Sequence, residues 1–581
     1  MVDVDTTVLI VGGGPAGLTS AAALADYRVD HVLLEKYEGT AHTPRAHIVS
    51  QRTVEIMRHL GCEQDLLDVA TPQEMMRNNL WVTSLAGREI ARLEAWGTQA
   101  HRFAEYSTSS PSPMVNCPQT SFEPMLVDVC RRKGADLRFG EQFLGYEHDG
   151  DRFVSTVRNR RTGDTTTVRS KYVIGADGAR TSVLGLAGLT IDGPSGLSHA
   201  VNIWFRADLT KYLAHRPGVL IWNVAPGPLP PLRLGTLICH KPFTEFVLVR
   251  LYDPASTDPA SLDHDQARAF VEQAVGAPVP DMELLGVAGW QVNAQVAAKY
   301  SAGNVFCMGD AVHRHPPTNG LGLNMSVADA FNLAWKIALV ERGCAGQGLL
   351  DTYSSERQPV GHAGVSRAIK SLGEAGKFES ALGYTPGQSA DDGWAELAKL
   401  DDPGPEGNAM RAALQEQLRI AHNQFNAHAF DLGYCYETGA LVHDGSTYAT
   451  NPGDPVLHFH ATTRPGARVP HARLERDGRP LSTLDLVDGL SFGLIVGLDH
   501  RSWSEAATRV SEQLGIDVVV HRVGGSGGIL DAYGEWASVR EVGDDGCVLV
   551  RPDRHVGWRS LGAAEDPAAA LGAAMRAILS R

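Results

Sequence analysis

Near the start of the chain the apolar positions run without a break and then stop at a cluster of glycines. Val8-Leu9-Ile10-Val11 leads into Gly12-Gly13-Gly14-Pro15-Ala16-Gly17-Leu18. Four consecutive apolar residues, three of them β-branched, predict a strand buried on both faces, as in parallel sheets. The Ala-rich stretch Ala21–Leu24 predicts the helix that follows. A second run, His31-Val32-Leu33-Leu34, predicts a strand ending in Glu35, and Ser50–Leu60 has helical spacing at Val54, Ile56, Met57 and Leu60. Residues 1–70 therefore alternate strand and helix in the doubly wound manner.

Beyond residue 75 the pattern changes. Leu80–Leu85 predicts a strand, and Pro111, Pro113 and Pro118 interrupt the chain before a helix over Ser121–Lys133. Pro124 falls in the first turn of that helix, where proline is tolerated, with Gln119 just ahead of it. Strands are predicted over Asp136–Phe139, Arg152–Val157 and Thr166–Val173, the last running on to Gly175-Ala176-Asp177-Gly178. From Ser198 to about Gly286 a sheet period dominates, with strands at Ala200–Asp208, Val219–Asn223, Arg233–Cys239 and Glu245–Tyr252, interrupted by Pro226, Pro228, Pro230 and Pro231. A helix is predicted over Asp263–Val275. This reads as an inserted, mostly antiparallel sheet with one face turned to a ligand pocket.

Gly303–Met308 predicts a strand ending in Gly309-Asp310. A Pro/Gly-rich loop follows to Asn324, then a helix over Met325–Arg342 with an apolar stripe at Val327, Phe331, Ala334, Trp335 and Ala338. Residues 349–380 read as helical, with Tyr353, Glu356 and Arg357 in a packed polar cluster. Residues 383–407, rich in Pro, Gly and Asp, read as a mobile connection, and 409–435 return to helix. After the loop-rich stretch Asn451–Pro470 comes a separate unit: strand (Leu490–Val496), helix (Ser502–Leu514), strand (Asp517–Val523), strand (Val548–Pro552), helix (Asp566–Ser580). That order resembles a thioredoxin-like module. It lacks a CxxC pair, so packing or dimerisation is expected of it rather than thiol chemistry.

At 581 residues the chain is too long for one core, so two or three domains are expected. The 52 basic and 67 acidic residues leave a formal charge of −15, which argues against nucleic acid or an anionic membrane as main partner. The eight cysteines are scattered, without disulfide or zinc spacing. The N-terminus lacks the basic segment of a signal peptide, and Leu490–Leu498 is too short to span a bilayer. A cytoplasmic protein is expected.

Three stretches carry candidate chemistry. Gly12-x-Gly14-x-x-Gly17, between strand and helix, is a dinucleotide fingerprint: glycines for the tight turn, the approach of a pyrophosphate and helix–strand packing. Glu35, 18 residues past Gly17, stands where a ribose hydroxyl acceptor belongs. Asp177 and Asp310 each follow a strand at its carboxyl end, where ligands bind open parallel sheets. The carboxylate of Asp310 suits a polyol, and the free amides around Gly322, Leu323 and Asn324 suit an electron-rich ring edge. The polar loop Thr40–His47 carries Arg45 and His47. His313 and His315 flank Arg314 without a carboxylate partner at metal-binding spacing, so no metal is expected.

In this order, GxGxxG, Asp-Gly, and Gly-Asp followed by Pro316-Pro317-x-x-Gly320-x-Gly322-x-Asn324, the chain resembles the flavin-dependent aromatic hydroxylases of the single-component phenol hydroxylase type. Thr43-Pro44-Arg45-Ala46-His47, Gln51-Arg52-Thr53, Tyr353-x-x-Glu356-Arg357-x-Pro359 and the C-terminal module extend the resemblance over nearly the whole chain. It implies an α/β fold: a doubly wound FAD-binding domain (1–75, 115–190, 290–380), an inserted antiparallel-sheet substrate domain (76–114, 191–289), a helical connection (381–455) and a thioredoxin-like domain (456–581).

The resemblance further implies that Gly12, Gly14 and Gly17, with Pro15 and Ala16, hold the FAD pyrophosphate. Glu35, beside Lys36, would hold the adenosine ribose, and Arg45 and Gln119 line the FAD path. Asp177 touches FAD and supports nicotinamide use, Asp310 meets the ribityl chain or pyrophosphate, and Pro317, Gly320, Gly322, Leu323 and Asn324 face the flavin ring. The family motif often has Ser four and Arg seven residues after its Asp; here Thr181 and Leu184 stand there, which leaves NADH or NADPH open. The implied reaction is NAD(P)H- and O2-dependent hydroxylation of a phenolic or polycyclic aromatic compound through a flavin hydroperoxide. His47 is the candidate contact for the substrate oxygen, with Arg45 beside it, and Trp222, Asn223 and Pro316 line the pocket. Epoxidation or Baeyer–Villiger oxidation of a polyketide, or a flavin dehydrogenase or oxidase, are the alternatives. A homodimer is expected.

Overall fold

The computed structural model describes residues 2–227, 235–255, 258–447 and 456–581. Expectations on Pro228, Pro230, Pro231, Arg233 and Leu234, and on 451–455, lie outside these residues. In chain order, β1 (Val4–Val11), α1 (Pro15–Asp26) and β2 (His31–Glu35) are followed by β3 (Ile48–Val49) and α2 (Gln51–His59). Next come β4 (Asn78–Val82), β5 (Glu89–Glu94), β6 (Val115–Asn116), α3 (Gln119–Arg132), β7 (Asp136–Phe139), β8 (Glu141–Asp149), β9 (Arg152–Asn159) and β10 (Thr165–Gly175). The inserted region supplies β11 (Ser198–Arg206), β12 (Gly218–Asn223), β13 (Thr236–Lys241), β14 (Glu245–Tyr252), α4 (His264–Val275) and β15 (Glu283–Val292). β16 (Val305–Cys307), α5 (Leu321–Glu341), α6 (Gly348–Ala375), α7 (Ala390–Ala398) and α8 (Pro405–Phe425) lead to the last unit. This holds β17 (Phe492–Val496), α9 (Arg501–Leu514), β18 (Val518–Arg522), β19 (Cys547–Val550), β20 (Val556–Ser560) and α10 (Pro567–Ile578).

The first sheet has the order β16-β10-β1-β2-β7, all parallel, with Ser301–Ala302 at one edge and the antiparallel β8–β9 pair joined to β10. Val8, Leu9 and Ile10 have no exposed surface, as an apolar run covered on both faces requires. The strands β1, β10 and β16 thus end side by side, and Gly12, Asp177 and Asp310 follow them at one edge. The second sheet has the order β15-β11-β14-β13-β12-β4-β5 and is antiparallel except for β12 with β4. One of its faces packs on α4 through Leu80, Ile203, Phe205, Ile221 and Leu237. The other carries Trp81, Leu220, Trp222 and Ile238 against Phe378, Leu397 and Phe425. The C-terminal sheet has the order β18-β17-β19-β20. It shares a core with the first unit, where Trp335 meets Phe492 edge-on at 6.2 Å.

Several boundaries differ from the sequence reading. The helix expected from Ser121 begins at Gln119, which puts Pro124 inside it; the ring forgoes the bond to the Thr120 carbonyl. The helix expected from Met325 begins at Leu321, because Gly320 takes a left-handed conformation (φ +67°) and lets a glycine-rich loop turn directly into helix. That helix is buried on nearly all sides, so its apolar positions form no stripe. The connection over 383–407 contains α7, with Leu397 and Leu400 buried; its Pro, Gly and Asp punctuate short helices. β5, β8, β15 and β20 escaped the sequence reading. Among the described residues no helix is long and apolar enough to cross a membrane.

Candidate functional site

The glycine loop closes on the first turn of α1. Gly12 has φ +110°, and a Cβ there would lie 2.3 Å from the Ala176 carbonyl oxygen. A Cβ at Gly17 would lie 1.9 Å from the Gly12 oxygen, so both positions exclude a side chain. Gly14 caps α1 without a side chain, Pro15 and Ala16 follow, and no acidic residue stands in the first turn. The amides there are left for an anion, with the positive end of the helix behind them. Glu35 Oε2 accepts the Gly13 amide at 2.8 Å and Oε1 accepts that of Tyr37 at 2.9 Å. The carboxylate thus fixes the loop and keeps lone pairs for ribose hydroxyls. Lys36 lies 5.3 Å from the ring centroid of Tyr37, and its carbonyl accepts from Arg160.

At the end of β10, Asp177 turns back on its own chain. Its Oδ2 accepts from the Ser182 amide (2.7 Å) and hydroxyl (3.2 Å), while Oδ1 is buried with no hydrogen-bond partner among the described residues. Ser182, five residues on, fills the place that the motif leads one to seek at Thr181, whose hydroxyl caps the Leu184 amide. Asp310 is different: it is exposed, and among the described residues its carboxylate has no hydrogen-bond partner. Its neighbour Gly309 is pinned by its amide to Asp329 Oδ2 at 3.1 Å. The same oxygen lies 2.9 Å from His313 Nε2, so His313 does have a carboxylate partner, 16 residues away, and acts as a buried strut. Among the described residues no group of three or more His, Cys, Asp or Glu is placed to hold a metal.

Behind Asp329 lies the polar cluster that Tyr353, Glu356 and Arg357 announced. Arg357 Nε donates to Asp329 Oδ1 at 2.8 Å, and Tyr353 donates to the Cys307 carbonyl at 2.8 Å. Glu356 is bound by Lys336 and by Arg551 of the C-terminal unit, each at 2.8 Å.

The first turn of α5 puts Gly322, Leu323 and Asn324 at the helix N-terminus, after the buried Pro316 and the exposed Pro317. The Asn324 side chain is fully committed. Its oxygen accepts from the Ser50 amide (3.0 Å) and the Thr53 hydroxyl (2.7 Å), and its nitrogen donates to the carbonyls of Ile48 (3.0 Å) and Gly320 (2.7 Å). The side chain has no hydrogen-bonding capacity left for a ligand.

The loop over 40–47 is held by two residues that the sequence reading did not assign. Glu123 Oε2 accepts the Ala41 amide at 2.7 Å, and its Oε1 accepts from Gln119 at 2.5 Å. Gln119 is thereby turned onto Glu123. Burial raises the Glu123 carboxyl, opposed by those two bonds and by Arg45. Arg45 is exposed, with no hydrogen bond among the described residues, and so is available to an anionic or π-rich ligand. Asn116 Oδ1 lies 2.9 Å from His47 Nδ1. Burial pushes the His47 imidazole down to about 4, with the Asn116 bond only partly opposing, so it is uncharged at neutral pH. His240 on β13 stands with its ring centroid 5.9 Å from that of His47; it is buried and neither ring nitrogen has a partner among the described residues. Asn116 sits in a two-residue strand far along the chain from His47, and no local pattern signals it.

On the second sheet, Trp222 faces Phe425 at 6.2 Å and its buried indole nitrogen has no partner among the described residues. Asn223 is the next residue along the strand, so it faces the opposite side; its amide donates to the Gly235 carbonyl at 3.0 Å. The pleat separates these two expected pocket residues.

Two family models match the chain: an FAD binding domain over residues 5–368 and the aromatic-ring hydroxylase C-terminal region over 462–581. The chain is 42% identical to 2,4-dichlorophenol 6-monooxygenase of Cupriavidus pinatubonensis over 100% of its own length and 97% of the relative's. It is 38% identical to phenol 2-monooxygenase of a Pseudomonas species, covering 98% of this chain and 92% of that one. Among solved structures, the flavin-dependent monooxygenase PieE in complex with FAD and substrate superimposes with a TM-score of 0.96 at 44% identity, both chains covered completely. RebC with bound 7-carboxy-K252c follows at a TM-score of 0.81 and 28% identity, with 99% of each chain covered. The side-chain-free glycine cradle, the exposed carboxylate of Asp310, which makes no hydrogen bond among the described residues, and the helix N-termini suit an FAD molecule laid across the strand ends. The chain belongs to the FAD-dependent aromatic-ring hydroxylases, monooxygenases of mixed α/β fold.

Proposed function

We propose that the protein hydroxylates a phenolic or polycyclic aromatic substrate beside its ring oxygen, consuming NAD(P)H and O2. One observation carries this reading most: an uncharged, oriented imidazole at His47, with the aromatic, largely apolar face of the second sheet close by. Bound by this chain, FAD would supply hydride acceptance from NAD(P)H and oxygen activation. The protein's own residues do the rest. Gly12, Gly14 and Gly17, with Pro15 and Ala16, bind the pyrophosphate, and Glu35 takes the ribose. Asp310 receives the polyol chain, Arg45 lies along the cofactor, and the amides of Gly322, Leu323 and Asn324, after Pro317 and Gly320, face the ring edge.

Trp222 and Pro316 wall the substrate and exclude water, so that activated oxygen reaches the ring rather than being lost as peroxide. His47 accepts the proton of the substrate hydroxyl, because a phenolate ring is the more electron-rich partner. The order of β17, α9, β18, the β19–β20 hairpin and α10 supports the reading of this unit as a thioredoxin-like module, and, without CxxC, its proposed role is a clamp on α5 and α6. The alternative oxygenations have no observation that favours them. The curated relatives named for phenols, alignable from end to end, support the phenolic reading, and PieE and RebC support room for a larger substrate. A cytoplasmic homodimer completes the proposal.

The test is stimulation. Purified protein reconstituted with FAD is given NADH or NADPH with phenol, 2,4-dichlorophenol, 2-hydroxybiphenyl and polycyclic phenols in turn. Faster nicotinamide oxidation with at least one of them is expected, and equal rates with and without every aromatic would overturn the proposal.

A further inference from the structure

We propose that Asn116 is the positioning residue for His47: it dictates which ring nitrogen carries the hydrogen and leaves Nε2 as the acceptor for the substrate proton. This rests on the role given to His47 above. The orientation of Asn116 is fixed by its own bonds. Its side-chain nitrogen donates to the carbonyls of Cys239 (3.2 Å) and His240 (3.3 Å) on β13. Its oxygen is therefore the atom that meets His47 Nδ1, and a carboxamide oxygen only accepts. Nδ1 must carry the hydrogen, and in the neutral ring Nε2 keeps its lone pair. Asn116 has no freedom to turn over: it is fully buried, and its backbone exchanges hydrogen bonds with Thr71 (2.7 and 3.0 Å) while pairing with Ile48 on the other side. The tautomer of a residue on the cofactor loop is thus set from the second sheet.

A carboxamide here differs from the carboxylate that orients many catalytic histidines. On proton transfer the substrate O–H bond breaks, its electron pair stays on oxygen, and the proton bonds to Nε2. Nδ1–H then donates to a neutral oxygen, which stabilises the imidazolium weakly, so the ring gives the proton back readily. Against the ring stands His240, its centroid 5.9 Å away, whose imidazole burial pushes well below its ordinary value, with the charges of His47 and Lys241 acting in the same direction. Among the described residues no carboxylate bonds to the His47 ring.

The direct test reads the imidazole itself. In FAD-loaded protein labelled with 15N-histidine, the His47 signals are identified by their loss in His47→Gln. Nδ1 is expected protonated and Nε2 unprotonated at pH 7. In Asn116→Asp the ring is expected to titrate at least one unit higher, and in Asn116→Ala the tautomer preference to fall away. A protonated Nε2 in the unaltered protein, or an unmoved titration in Asn116→Asp, overturns the proposal; the first of these needs no variant to fold. A second readout separates this from the role of His47. With 2,4-dichlorophenol as probe, the acid limb of kcat/KM should move up with Asn116→Asp, a tenfold loss per unit within the limb, and Asn116→Ala should add nothing in a His47→Gln background. If His47→Gln leaves oxygenation intact while the tautomer is as stated, the base reading fails and Asn116 positions a ring that takes no substrate proton.

Discussion

Replacing Arg551 with methionine should detach the C-terminal unit from the FAD-binding core more severely than any surface ion-pair change. Arg551 has no exposed surface. It donates to both oxygens of Glu356 at 2.8 Å, to Asp553 at 3.0 and 2.5 Å, and to the Ala440 carbonyl at 3.1 Å. Glu356 is equally buried and also receives Lys336 Nζ at 2.8 Å, Asn332 at 2.6 Å and the Ala440 amide at 2.8 Å. Two carboxylates face two cations; methionine at 551 leaves two buried negative charges to one ammonium. Breaking one partner out of a buried pair costs about 3–5 kcal/mol. The exposed pair Arg88–Asp401, whose side chains are 40% and 70% accessible, is worth about 0–1 kcal/mol and is the control.

Urea unfolding followed by tryptophan and flavin fluorescence would read this as a midpoint lowered by about 1 M or more, taking m near 3 kcal/mol per M. The pH dependence has a defined sign. Burial alone would raise the Glu356 carboxyl; the charge of Arg551 and then of Lys336 overcome it and hold the group down to about 2. A carboxylate depressed in the fold contributes fully above its ordinary value of 4.5 and loses its contribution as pH falls toward about 2. Arg551→Met should therefore begin acid unfolding at higher pH than the unaltered protein. A midpoint within the range of Arg88→Met, with unshifted acid unfolding, would refute the reasoning.

Gly17→Ala forces a Cβ to within 1.9 Å of the Gly12 oxygen, so flavin absorbance per protein should collapse; normal flavin content would show that the loop can yield. Asp310→Ala should lower retained FAD while leaving the thermal stability of the flavin-free protein nearly unchanged, because among the described residues the carboxylate makes no hydrogen bond, and unchanged flavin content would remove its assigned role. Asn324→Ala strips three hydrogen bonds that tie α5 to β3 and α2, and a fourth to the Gly320 carbonyl at the start of α5, and should destabilise the protein by about 2–4 kcal/mol in the same urea assay, with a change under 0.5 kcal/mol contradicting this linking role.

What the sequence made legible follows from local chemistry. The apolar run Val8–Val11 could bury itself only in a sheet covered on both faces, and the glycines after it had conformational reasons to be glycine. The two strand-end aspartates were legible as well, but not their difference: Asp177 caps its own chain through Ser182 and Asp310 stands open. Residues that act across long separations left no local signal. Asn116 and Glu123 gain their meaning from His47 and Ala41, 69 and 82 positions away. Asp329, Asn332 and Lys336 look like the polar side of an amphipathic helix until charges from α6 and the C-terminal unit surround them. Trp222 and Asn223 looked like one pocket wall because adjacency in sequence hides the alternation of a strand.

The central claim is that oxygen from O2 enters an aromatic substrate at the expense of NAD(P)H. The measurement is incorporation of 18O from labelled dioxygen by FAD-loaded protein acting on the phenol that best stimulates nicotinamide oxidation. One labelled oxygen atom per product molecule, with one NAD(P)H consumed, is the predicted result. Stimulated nicotinamide oxidation that yields only peroxide and unlabelled substrate would contradict it.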